Sequence, residues 1–143
     1  MEGRAQFVTF QPPDGESLTI INIYAPRSSN DKAPLWRKLS QAELKSYHFI
    51  IGGDFNHFEE TDRRETFGER QMLRREAASW HHMTFQYGLI DAWRFDSFRK
   101  MSSKEYTFDN GRAGPHSAVS RIDKFMISQD IEDRGGRIEL RHP

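Results

Sequence analysis

Ile50-Ile51-Gly52-Gly53-Asp54-Phe55-Asn56 is the stretch on which the reading of this chain turns. A short apolar strand, His48 to Gly53, runs into two glycines and then into an acid and an amide. In extended chain the side chains alternate, so Asp54 and Asn56 share a face while Phe55 points the other way, into a core. A carboxylate and an amide at the carboxyl end of a strand can grip a phosphate and orient a water, and glycines let a ligand approach the backbone. The same residue types also build plain turns, and this stretch by itself leaves both readings open.

Upstream, Ala5 to Gln11 and Ser17 to Ala25 have strand composition, and Pro12-Pro13-Asp14-Gly15 between them predicts a hairpin. In the second strand Ile21, Ile23 and Ala25 fall on one face, with Asn22 and Tyr24 on the other; Pro26 ends it. A phenol so placed can donate to a phosphoryl oxygen, or simply stand at the rim of an amphipathic strand. Arg27 to Lys32 reads as a polar loop, after which Pro34 opens a helix to about Lys45 with Leu35, Leu39 and Ala42 as its apolar stripe.

Downstream, Leu73, Ala77, Trp80, Thr84 and Tyr87 recur at helical spacing over Glu69 to Tyr87, and Gly88 is a natural stop. Leu89 to Arg94 is a short apolar segment, Glu105 to Phe108 a strand start and Asp109-Asn110-Gly111 a turn. Val119 to Ser128 and Arg137 to Leu140 read as further strands. The order β-β-α-β-α-β-β-β, without repeat or linker, predicts a single α/β domain over residues 1–143.

Two charges enter one of these strands. Alternation through Ser120-Arg121-Ile122-Asp123-Lys124-Phe125-Met126-Ile127 puts Arg121 and Asp123 on the face of Phe125 and Ile127. Unpaired burial would be costly, so the two pair with each other or with a further polar group, for structure or for function. Thr107 sits between Tyr106 and Phe108 as an alternating hydroxyl in what is otherwise an ordinary strand. His57 stands beside Asn56, within reach of a bound phosphate, with no partner carboxylate evident in the sequence. His81 and His82 diverge by about 100° on their helix and cannot share a metal, which makes them surface or rim residues. Arg63, Arg64, Arg70, Arg74 and Arg75 are interleaved with Glu65, Glu69 and Glu76, the pattern of a solvated face and not of a DNA-binding patch.

Composition narrows the chemistry. With 143 residues, 36% of them hydrophobic and 13% aromatic, the chain can bury a core, although its mean hydropathy of -0.82 is polar. No apolar run reaches the roughly 18 residues of a membrane span, and Met1-Glu2-Gly3-Arg4 leads into a strand, so a soluble, untargeted protein is expected. The absence of cysteine excludes disulfides, thiol catalysis and Cys-ligated zinc; a metal would sit on carboxylate, amide or His ligands, which suits magnesium. The 21 basic and 21 acidic residues balance, so any polyanion must be gripped locally and not by overall charge.

Taken together and in this order, Asn22-Ile23-Tyr24-Ala25-Pro26, Gly52-Gly53-Asp54-Phe55-Asn56, Tyr106-Thr107-Phe108 and Ser120-Arg121-Ile122-Asp123 resemble the endonuclease/exonuclease/phosphatase superfamily. The closest likeness is to the apurinic-type endonuclease domains of long interspersed (non-LTR) retrotransposons, over about residues 5 to 128. The resemblance implies a four-layer α/β sandwich, two β-sheets face to face with helices outside, here incomplete. It also implies metal-dependent cleavage of a phosphodiester, with Mg2+ or Mn2+ as cofactor and DNA as partner. By that likeness Asp54 orients or deprotonates the attacking water and is the metal-ligand candidate. Asn56 and Tyr24 contact the scissile phosphate, and Asp123 orients a catalytic His. Asn22, Thr107, Ser120 and Arg121 line the substrate side.

The chain departs from the family pattern at both ends. The family's late Ser-Asp-His triplet and its early Asn and metal-binding Glu have no counterparts, Arg27 stands where many relatives carry Asn, and His142 lacks a preceding Asp. Weak metal binding and impaired cleavage are therefore expected of this chain, with self-association through exposed sheet edges. An intracellular location follows, nuclear if the chain is part of a retrotransposon protein. The alternatives are a non-catalytic interaction module that retains the fold, or a phosphoinositide or sphingolipid phosphoesterase on the same scaffold.

Overall fold

The computed structural model describes residues 3–44, 46, 48–57, 64–66, 72–94, 107–112 and 118–134. The hairpin forms as its turn chemistry requires: β1 (Ala5–Phe10) pairs antiparallel with β2 (Leu18–Tyr24) from Ala5 opposite Ile23 to Phe10 opposite Leu18. Helix α1 (Ser29–Ser40) then crosses over to β3 (His48–Asp54), which lies parallel to β2. After β4 (Arg64–Thr66) come α2 (Arg74–Gln86), β5 (Leu89–Asp91) and a 3-10 turn at Ala92–Arg94. The strands β6 (Phe108–Asp109), β7 (Ala118–Ser120) and β8 (Asp123–Ser128) and a short α3 (Gln129–Asp133) complete the described chain. Among the described residues two sheets result, one of five strands in the order β1-β2-β3-β8-β5 and one of three in the order β4-β7-β6.

Period-two alternation decides what lies under the helices. Ile21 and Ile23 of β2, Phe49 and Ile51 of β3 and Met126 of β8 face α1 and α2, where Leu35, Trp36, Leu39, Trp80 and Met83 close the core. Phe55 joins them fully buried, its ring 5.9 Å from Trp36 and 5.5 Å from Trp80. The opposite face of the five-stranded sheet is more open: Val8, Phe10, Ile20 and Phe125 are all exposed there.

Several expectations shift. Helix α1 begins at Ser29, not at Pro34, because Lys32 and Ala33 are buried and the first turn closes through the amides of Asp31 and Lys32 on the Ser28 carbonyl. It ends at Ser40, five residues early, because Tyr87 donates to the Leu39 carbonyl at 2.7 Å and Gln86 to the Ser40 carbonyl at 2.7 Å, satisfying the open helix end. The buried row of α2 is Glu76, Trp80 and Met83, while Leu73 is exposed, so the stripe is rotated from the expected one. Glu76 is thus a core residue and not part of a solvated face. Val119 to Ser128 is not one strand: the chain leaves the smaller sheet after Ser120 and enters the larger at Asp123. The expected strands at 105–106 and 137–140, and Arg63, Arg70, Tyr106 and His142, lie outside the described residues.

Candidate active site

Three strands deliver their ends to one place. The register sets Tyr24 of β2 beside Asp54 of β3, and Asp54 opposite Asp123 of β8, so a phenol and two carboxylates form one row across the open face of the sheet. Asn22 stands two residues back on the same face, its amide 3.5 Å from Gln6 Oε1. The end of β3 is tied on both sides, by the Ala25 amide on the Asp54 carbonyl at 2.8 Å and the Phe55 amide on the Ile122 carbonyl at 2.9 Å.

Asn56 reaches Asp54 by a turn, not by extended alternation. Its backbone is left-handed, with φ of 48°, a conformation that Asn tolerates better than most residues. Its backbone amide donates to Asp54 Oδ1 at 2.8 Å, and its side-chain amide donates to Asp54 Oδ2 at 3.2 Å and to the Ala25 carbonyl at 2.8 Å. Burial raises the Asp54 carboxyl above the ordinary aspartate value; the Asn56 amide pulls it down, Asp123 pushes it up, and Arg27 and Lys32 pull it down. The two glycines are explained by packing. Gly53 has φ of 134°, and a Cβ there would lie 2.9 Å from both the nitrogen and the carbonyl carbon of Ile23, so the space expected for a ligand holds the backbone of β2. Gly52 lies beneath the Phe125 ring.

The switch between sheets is held by Thr107. Its hydroxyl accepts the amides of Ile122 and Asp123, each at 3.0 Å, and its own amide donates to the Ser120 carbonyl at 3.1 Å. Thr107 thereby sets where Asp123 enters β8, while the Ser120 side chain is buried. Because the strand breaks, Arg121 and Asp123 part company. Asp123 is exposed beside Asp54, and Arg121 turns inward to a buried ion pair with Asp91, with its guanidinium 5.6 Å from the centre of the Trp93 ring. Asp91 is the further polar group that sequence reasoning left unnamed, hidden in an apolar segment as its only charge before Arg94.

His57 points away from the site. It is buried among Trp36, Phe55 and Trp80, with the Trp80 ring 4.4 Å away and Glu76 Oε1 3.5 Å from Nδ1. Burial holds its imidazole well below the ordinary value, and the charges of Lys124, Lys32 and His81 act in the same direction. The fold therefore favours neutral His57, and its contribution to stability is present above the unfolded pKa and lost as pH falls below it. The melting temperature of the native chain should drop between pH 7 and pH 5, and His57→Phe should flatten that drop; parallel melting series at the two pH values check this. His81 and His82 are exposed, as expected.

Among the described residues no group of three or more His, Asp or Glu could hold a metal ion, and no helix is long and apolar enough to cross a membrane. The register does set Asp54 and Asp123 opposite each other, two residues whose carboxylate oxygens are of the hard type that divalent cations take.

No family model matches the chain. A search of curated proteins finds the Transposon TX1 uncharacterized 149 kDa protein of Xenopus laevis, 26% identical over 131 residues that make up 89% of this chain and 9% of that protein. Among solved structures, AP endonuclease LMAP from Leishmania major superposes with a TM-score of 0.60 at 18% identity, covering 92% of this chain and 48% of that one. D. rerio TDP2, complexed with single strand DNA product, gives 0.52 at 16% identity, covering 87% and 46%. This chain therefore spans about half the length of these solved structures and about a tenth of the transposon protein. Its two sheets, its helices and these superpositions give one conclusion: the chain shares the mixed α/β, two-sheet fold of these solved structures.

Proposed function

We propose that this chain carries the carboxylate and amide part of a metal-dependent DNA endonuclease site, as its likeness to a transposon protein and to the AP endonuclease fold suggests. The observation that carries this reading is the single row of Tyr24, Asp54 and Asp123, with Asn56 turned onto Asp54. A scissile phosphate set against that row meets the Tyr24 phenol, which can donate to its oxygens, while the Asn56 side-chain amide, with both hydrogens engaged by Asp54 and the Ala25 carbonyl, orients the Asp54 carboxylate beside it. Asp54, its carboxyl raised above the ordinary value by burial, stands where it can accept a hydrogen bond from the attacking water and take its proton. Asp123 keeps the neighbourhood acidic, and Thr107 holds Asp123 at its post. Asn22 is on the substrate side; Ser120 and Arg121 support the site from within, since Arg121 is committed to Asp91. Magnesium or manganese on Asp54 would supply charge neutralisation at the phosphate.

The test is nicking of supercoiled plasmid by the purified chain with magnesium or manganese. The metal-binding Glu and the Ser-Asp-His triplet that the family likeness calls for are absent from the 143 residues, and each such group is worth about 10²- to 10⁴-fold. Activity at the background level is expected of the chain alone. Robust magnesium-dependent nicking would show that other residues supply those functions, and the assignment of roles would then have to change.

The open sheet face also bears on behaviour in solution. Val8 and Phe10, 64% and 62% exposed, lie on an edge strand of the described sheet, next to Ile20. Unshielded apolar edges invite pairing between copies. A sedimentation profile that shifts to larger species as concentration rises is expected, and a monomer at all concentrations would refute it. The relationship to a transposon protein makes a nuclear site of action the corresponding proposal.

A further inference from the structure

Directly behind the Asp54–Asn56 turn lie two buried charges that the reaction scheme above does not use. Lys32, on α1, is 4% exposed, and Glu76, on α2, is 1% exposed. Lys32 Nζ lies 3.0 Å from Glu76 Oε1 and donates to the carbonyl oxygen of Asn56 at 2.8 Å. The His57 ring closes the other side of the same carboxylate oxygen.

Burying a lysine and a glutamate is unfavourable unless their mutual attraction and further bonds compensate, and an apolar pair of the same size would serve packing alone as well or better. The bond that distinguishes this pair is the one to Asn56. A left-handed Asn56 turns its carbonyl inward, toward the core, at the moment its side chain turns outward to Asp54 and to the Ala25 carbonyl. An inward backbone carbonyl needs a donor, and the Lys32 ammonium is that donor. Glu76 holds the ammonium in place from the second helix, so both helices fix one peptide group at the edge of the site.

We infer that Lys32, oriented by Glu76, is a positioning residue that clamps the Asn56 carbonyl and thereby holds the Asn56 side chain on the Asp54 carboxylate. The clamp takes its catalytic meaning from the proposed roles of Asp54 and Asn56, but it can be tested without any cleavage.

The experiment compares the native 143-residue chain with Lys32→Met/Glu76→Met and with Glu76→Gln, by thermal melting and by NMR hydrogen exchange. The double variant removes both charges at nearly constant volume and should melt close to the native chain. Its Asn56 backbone amide, which bonds Asp54 Oδ1 in the native chain, should nonetheless exchange about tenfold faster relative to the core amides of Ile21 and Ile51, with the Asn56 side-chain amide signals displaced. Glu76→Gln leaves the lysine as donor, so it should lower the melting temperature while Asn56 protection changes far less. If the double variant keeps native Asn56 protection and side-chain shifts, or if Glu76→Gln loosens Asn56 as much, the pair is a core ion pair only and the inference is overturned. A readout on the native chain covers the case in which a variant does not fold. The Lys32 ammonium should give a slowly exchanging 15N signal, and a freely exchanging one refutes the clamp. Since no readout involves DNA, failure of the clamp and failure of the nuclease reading remain separate results.

Discussion

Gly53→Ala should prevent the chain from folding at room temperature. Gly53 adopts φ of 134°, a region that side-chain-bearing residues essentially do not visit, and a Cβ there would run into the backbone of Ile23 on the neighbouring strand. Neither partner can give way, because β2 and β3 are paired along their whole lengths and their inner faces form the centre of the core. Strain and collision together should cost more than about 4 kcal/mol, a large share of the roughly 5–15 kcal/mol that holds a domain of this size together. Gly52→Ala is the control. There a Cβ would lie 2.7 Å from Cε1 of Phe125, but that ring is 56% exposed and can swing outward, so the cost should stay near or below about 1 kcal/mol. Circular dichroism and denaturant titration of the two variants distinguish the cases, and a folded Gly53→Ala with native stability would show that the strand-end geometry is not as described.

Asp54→Asn should leave the fold intact and remove the chemistry proposed for this residue. The folded state raises this carboxyl, so proton binding favours folding; the contribution is fully present below the unfolded value and is lost as pH rises through the folded one. Burial and the Asp123 carboxylate opposite it both disfavour the charged form of Asp54, and an amide removes that opposition while keeping the bond from the Asn56 backbone amide. A melting temperature unchanged or raised by no more than about 4 °C is expected, with any stabilisation by magnesium reduced. In a longer polypeptide that supplies a metal-binding Glu and a Ser-Asp-His triplet, the roles proposed for Asp54 as base and metal ligand predict that the same substitution cuts plasmid nicking by about 10²- to 10⁴-fold. Unfolding of Asp54→Asn, or an undiminished nicking rate, would reduce Asp54 to a structural turn residue, and the proposed function would fall with it.

Local chemistry in the sequence was enough for the elements that depend on neighbours along the chain. The hairpin followed from Pro12-Pro13-Asp14-Gly15 between two alternating segments, the stop of α2 from Gly88, which adopts φ of 55°, and the inward course of Ile21, Ile23 and Phe55 from period-two alternation. The four short motifs were also readable as a set, because each keeps its wording within a few residues. What only the tertiary structure decided were the partners of charges. Arg121 looks toward Asp123 in the sequence, yet the chain changes sheets between Ser120 and Asp123, so the guanidinium finds Asp91, 30 residues away, instead. Glu76 sits among arginines in a pattern that reads as solvated, and Lys32 in one that reads as loop; both are buried because α1 and α2 pack against each other over the end of β3. Hydrophobic periodicity is a property of one element, so the sequence by itself determined which faces are apolar, whereas the pairing of buried charges depends on which elements the fold brings together, and no spacing along the chain encodes that.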